Sequence, residues 1–262
     1  GVRKLTVIFL LLASCKSEPD YTECTALFCS PGENTGLSSD QCNTTCTCEG
    51  GEWTPRTFPE NTPSQLRAFT LENPPDVLLE APYTRTSTPT PSTEVCGILV
   101  SGSTYRLQSY ASVDAAEDAG AKVTHGGACG ACSTLEDFAV YIENFDLTTP
   151  VRACGVKSLT EGEESSFTCL EELGFTDACA RIWFYNTQNT RKKCLTPCFA
   201  ALTSPFHLEN GDINECLQCD EDLSGPIFKK FAGRTRRNSG LASAICRPCA
   251  PVFKTDHAYI VD

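Results

Sequence analysis

Eighteen cysteines in 262 residues constrain this chain more than any other feature. In a reducing compartment so many thiols need metals or clusters, whereas in an oxidising one they become disulfides that staple short elements together. The first residues decide between the two. Arg3-Lys4 is a short basic stretch, Leu5 to Leu12 is an apolar run too short to span a bilayer, and Ala13-Ser14 supplies small residues before Cys15. This is the pattern of an export signal, so the expected location is extracytoplasmic and the expected cysteine chemistry is disulfide.

A formal net charge of −12 and a pI near 4.8 exclude nucleic acid as a partner, because phosphate binding requires dense Lys and Arg. Leu12-Ala13-Ser14-Cys15 resembles the lipobox of bacterial lipoprotein precursors. That resemblance implies a signal peptide over residues 1–14, cleavage before Cys15 and a diacylglyceryl thioether on its sulfur. Lys16 in place of Asp implies the outer membrane or cell surface as the destination. With Cys15 lipidated, seventeen cysteines remain, and twelve of them, from Cys96 to Cys249, can pair among themselves. The odd thiol is therefore expected among Cys24, Cys29, Cys42, Cys46 and Cys48.

Residues 15–55 read as a small Cys-rich module with turn signals at Pro31-Gly32 and Gly50-Gly51, too short to fold without staples. The run Cys29-Ser30-Pro31-Gly32, then Cys42-Asn43-Thr44-Thr45-Cys46-Thr47-Cys48 and Trp53, resembles pacifastin-like Cys-x-Cys modules, which implies a tiny disulfide-held antiparallel sheet. An extra residue between Cys42 and Cys46, and the lack of cysteines soon after Trp53, mean that neither that family's bridge set nor its inhibitor role carries over. Residues 56–93, with recurring prolines and a Thr/Ser/Pro end, read as a linker of which Leu66–Leu71 and Val77–Leu79 can lie along the next domain.

Residues 94–262 form the main domain, expected as a disulfide-rich, α-rich α+β fold with a small β-hairpin. A strand over 95–100, a turn at Gly102-Ser103 and a return strand with alternating faces over 105–110 predict the hairpin. Ser133-Thr134-Leu135-Glu136 reads as a capping box opening a helix. Further helices are expected over 166–173 ending at Gly174, from Thr176-Asp177 onward, and from Pro226 to a stop at Gly240.

Candidate chemistry falls in four places. Cys129-Gly130-Ala131-Cys132 resembles a thioredoxin-type active site, which implies Cys129 as attacking thiolate and Cys132 as resolving thiol; the alternative is that each bridges a distant partner. His125 with a carboxylate such as Asp137 is a candidate hydrolytic pair. No cofactor is expected; zinc is the runner-up, held by Cys216-x2-Cys219 and Cys246-x2-Cys249 if those thiols escape oxidation. The stretch Arg181–Arg191 mixes large aromatics with amides, and a basic island lies at Lys229–Arg237, which Asp220-Glu221-Asp222 can equally neutralise.

The expected function follows from the last two. It is an exported, lipid-anchored surface protein binding a polar or anionic ligand such as a glycan, or a surface protein, through Trp183, Asn186, Asn189, Arg191, Arg234 and Arg236. An extracytoplasmic enzyme and a structural coat component are the alternatives.

Overall fold

The computed structural model describes residues 27–48, 51–84, 93–257 and 259. The export signal, the lipobox with Cys15, and Cys24 lie outside the described residues. The N-terminal part holds β1 (Leu27–Phe28), β2 (Cys42–Asn43), β3 (Cys46–Cys48), β4 (Gly51–Trp53), α1 (Thr62–Arg67) and β5 (Thr70–Leu71). Then come β6 (Val95–Ser101), β7 (Thr104–Tyr110), α2 (Val113–Asp118) and β8 (Lys122–Gly126). The helical part comprises α3 (Leu135–Glu143), α4 (Thr148–Thr160), α5 (Glu163–Glu172), α6 (Asp177–Ala200), α7 (Glu215–Leu223) and α8 (Gly225–Ala232), followed by β9 (Arg247–Pro248). The fold is a disulfide-rich α+β arrangement, as the cysteine count and helix signals imply.

The expected hairpin is β6–β7, with seven residue pairs from Val95–Tyr110 to Ser101–Thr104. It forms the centre of a four-stranded sheet of order β5-β7-β6-β8. β5 comes from the segment read as a linker, and that segment does not behave as one over its described length. Asn73 exchanges two hydrogen bonds with the Leu107 backbone, and Phe58, Leu66, Phe69, Leu78 and Tyr83 pack on the main core. Leu66, Phe69 and Leu78 fall within the stretches, Leu66–Leu71 and Val77–Leu79, expected to lie along the main domain. The Cys-rich module is likewise tied to the far end of the chain: β1 pairs with β9, and Cys29–Cys246 and Cys46–Cys249 close the junction. β3 and β4 form a two-stranded antiparallel sheet.

The helix starts follow their capping chemistry. Thr134, one residue later than expected, caps α3 by accepting the Asp137 N–H. Thr176 and Asn214 cap α6 and α7 in the same way. Helix α5 begins three residues before the expected start and ends before Gly174. Helix α8 stops at Gly233, where φ is +73°, rather than at Gly240. Helix α4 was not anticipated; Pro150 lies in its first turn, where the missing N–H costs nothing, and Asp146 accepts the Thr149 N–H. Pro197 lies inside α6 and removes one helical donor, and the helix kinks just before it at Cys194.

Seven disulfides join the described residues, and they join elements rather than neighbours. Cys154–Cys169 links α4 to α5, and Cys194–Cys219 and Cys198–Cys216 form two rungs between α6 and α7. So extensive a set of bridges places the protein in an oxidising, extracytoplasmic environment. Among the described residues no helix is long and apolar enough to cross a membrane, and Cys42 is the free cysteine.

Candidate functional site

The stretch from His125 to Asp137 is a structural knot. Cys129 bridges Cys96 on β6, and Cys132 bridges Cys179 on α6, so the pair does not form the redox dithiol of the thioredoxin-type reading. Between them the backbone runs against the end of α8: the Ala131 and Cys132 N–H groups donate to Phe231 O and Ala232 O. A Cβ on Gly130 would meet Phe231 O at 2.5 Å, and one on Gly233 would meet Gly130 N at 2.5 Å. The glycines serve this close approach, not a ligand.

His125 is fully buried. Its Nδ1–H donates to Gly126 O at 2.9 Å, so Nε2 accepts from Ser133 Oγ at 2.8 Å. Burial, followed by the nearby Arg234 charge, holds its pKa well below the ordinary value. Asp137 does not face it. That carboxylate accepts from the Thr134 and Thr176 hydroxyls and the Thr176 N–H, pinning α3 to α6. The hydrolytic pair is therefore not assembled.

Burial pushes the Asp137 carboxyl up to about 7, against the hydrogen bonds that favour its charge. A native pKa raised above the unfolded value means that the native state binds more protons between about pH 4 and 7, so this group's contribution to stability falls as pH rises through that window. The buried histidines act in the opposite sense, losing stability below about pH 6.5. Subtraction isolates Asp137. Relative to wild type, Asp137→Asn is expected to gain up to about 1.4 kcal/mol per pH unit between pH 4 and 7 in denaturant titrations; a constant difference would show that the native carboxyl is not shifted.

The zinc reading also fails on geometry, because Cys216, Cys219, Cys246 and Cys249 are all disulfide-bonded, to four different partners. Two of the expected ligand contacts are internal as well. Arg234 is wholly buried and bonded to main-chain oxygens, and Asn189 donates to Ser224 Oγ and Leu223 O. The acidic residues neutralise part of the basic island: Glu221 pairs with Lys229, Arg237 and Arg247. Although burial opposes its charge, these cations hold its carboxyl down to about 2.

The other four expected contacts, Trp183, Asn186, Arg191 and Arg236, line one cavity of about 660 Å³. Helices α4 and α6 form its mouth. Arg152, Val156 and Leu159 face it from α4 at helical spacing, as Arg191, Leu195 and Phe199 do from α6. Phe28, Ile245 and Val252 contribute from the N-terminal module and the C-terminal segment. The outer wall is apolar; the inner wall carries polar groups in a chain of bonds. Tyr83 Oη donates to Asn186 Oδ1 at 2.8 Å, and Asn186 Nδ2 and the Thr190 hydroxyl donate to Asp220 Oδ1. Burial raises the pKa of Asp220.

Residues 163–255 match a family of unknown function (DUF8771). The matched residues run from α5 past β9 and thus include the α6, α7 and α8 walls of the cavity, while α4 with Arg152 lies outside them. No curated protein and no solved structure matches the chain.

The charge on this wall is lopsided. Six cationic side chains line the cavity against two carboxylates, Asp220 and Glu221, in a chain whose net charge is −12. Most of the cations are engaged: Arg236 with the carbonyls of Ala242, Tyr141 and Asn144, Arg191 with Ser158 Oγ, and three with Glu221. Arg152 makes no hydrogen bond or ion pair with any described residue. Burial lowers its pKa, with Asp146 and Asp220 opposing through space. Trp183 packs between Phe228 and Phe175, so it is a wall rather than a stacking platform. Sequence reading missed Arg152, Val156 and Leu159 because it missed α4. The detectable signal was the spacing of Val151, Arg152, Val156 and Leu159 after an Asp that can cap.

Proposed function

We propose that this is an extracytoplasmic binding protein for a small amphiphilic anion, held in the cavity between α4 and α6, and that a lipid on Cys15 anchors it at the cell surface. The observation that carries the reading is the coincidence, in one cavity, of an apolar outer wall with a half-buried guanidinium that has no hydrogen-bond or ion-pair partner among the described residues. An anionic head on Arg152 replaces the solvation that burial removes, and an apolar body covers Val156, Leu159, Leu195 and Phe199. Three disulfides fix α4 to α5 and α6 to α7, so little ordering cost attends binding. This keeps the anionic half of the sequence-based expectation. The glycan half loses support, since Phe184 and Tyr185 are buried and Trp183 packs between Phe228 and Phe175.

The test is displacement of bound anilinonaphthalene sulfonate, itself an amphiphilic anion, by compounds of one chain length. Dodecanoate is expected to displace it at least about tenfold more effectively than dodecanol, the difference worth one charge-assisted pairing. Equal displacement by the two would leave the cavity a merely apolar one and overturn the proposal.

A further inference from the structure

The cavity mouth is bordered by large apolar side chains that face solvent. Phe199 is 73% exposed, Leu159 65%, Leu195 62%, Leu202 54% and Val156 49%. Isolated exposed leucines are ordinary, but these five edge one opening. Their chemical neighbours are distinctive. Residues 148–160 and 188–208 contain Arg152, Lys157, Arg191, Lys192 and Lys193 and no Asp or Glu, in a chain with twelve more acidic than basic residues. Glu161, Glu163 and Glu164 bound the patch at the end of α4, and Glu163 there accepts from Gln188. Cys194–Cys219 and Cys198–Cys216 hold that part of α6 to α7.

We propose that the α4–α6 rim is a docking surface for an anionic lipid bilayer. Apolar residues enter the acyl boundary while the basic fringe meets headgroup charge, the pairing that peripheral membrane contacts use. Charge complementarity selects this occupant: an acidic molecule is otherwise repelled by such a surface, so this basic and apolar face sets the orientation. The inference does not depend on what the cavity holds, although a bilayer at the mouth would place amphiphiles at its entrance.

The experiment is co-sedimentation of the full chain, carrying Cys15→Ser so that no acyl anchor contributes, with phosphatidylcholine vesicles with and without phosphatidylglycerol. Binding is expected only with phosphatidylglycerol, and it should fall as salt is raised. The double variants L195S/F199S and K192E/K193E should each weaken it by at least about tenfold while leaving the melting curve unchanged. Absence of binding, equal binding to both vesicles, or wild-type binding by both variants would each overturn the proposal. So would a concentration-dependent dimer abolished by L195S/F199S, which would show that the rim faces a second copy. Anilinonaphthalene sulfonate displacement on the Cys15→Ser and K192E/K193E proteins, whose cavity lining is unaltered, reads the cavity separately, so failure of one proposal does not imply failure of the other.

Discussion

Arg234→Ala is expected to lower the free energy of unfolding by about 4 kcal/mol, the range for stripping a partner from a buried, hydrogen-bonded charge network. The guanidinium is wholly buried, 4.4 Å from the centroid of the Phe138 ring. Its Nε donates to Cys132 O, Nη1 to Thr124 O and Ser239 Oγ, and Nη2 to Thr124 Oγ1 and Ser133 O. One side chain thus gathers β8, the turn before α3 and the C-terminal segment. Arg234→Met should do little better than alanine, because the carbonyl acceptors stay buried with no donor. Arg234→Lys should recover less than half, since a single ammonium cannot span a planar fork of acceptors. Urea titration at neutral pH reads all three; a loss under about 1 kcal/mol for alanine would mean that water replaces the fork.

The second large effect is expected from Cys132→Ala/Cys179→Ala. The bridge spans 47 residues and joins the start of α3 to the first turn of α6. By loop closure it restricts the unfolded chain by about 4 kcal/mol, and both sulfurs are fully buried, so the loss of packing adds to this. Cys42→Ser is the control. That thiol is partly exposed and unbridged, and its replacement should stay within about 0.5 kcal/mol. If the Cys132 bridge were dispensable and Cys42 critical, the connectivity described above would be wrong.

These two predictions show where sequence reasoning reached and where it stopped. The β6–β7 hairpin and the starts of α6 and α8 were legible, because each rests on local chemistry: alternation, a threonine cap, a proline at the first turn. The shift of the α3 cap from Ser133 to Thr134 was not, since Ser133 is drawn off by His125 and the Gly130 N–H, partners fixed by tertiary packing. Arg234 in a basic run reads as a ligand contact; its burial depends on acceptors from residues 124, 132, 133 and 239, which no local pattern announces. Cysteine pairing is non-local for the same reason: the module at Cys29 and Cys46 finds its partners more than 200 residues away. Cys42, the free cysteine among the described residues, lies in that module, but the twelve cysteines from Cys96 onward do not pair only among themselves, since Cys246 and Cys249 bridge Cys29 and Cys46. Of the candidate site, the α6 contribution was half legible, through Trp183, Asn186 and Arg191, and the α4 contribution was not, because no helix was expected over residues 148–160.

The most direct measurement of the central claim is calorimetric titration of dodecanoate into wild-type protein and Arg152→Gln, with dodecanol as the neutral control. The account expects one site per chain, at least about tenfold weaker dodecanoate binding in the variant, and no change for dodecanol. Dodecanoate binding that is absent in wild type, or equally tight in both proteins, would contradict it.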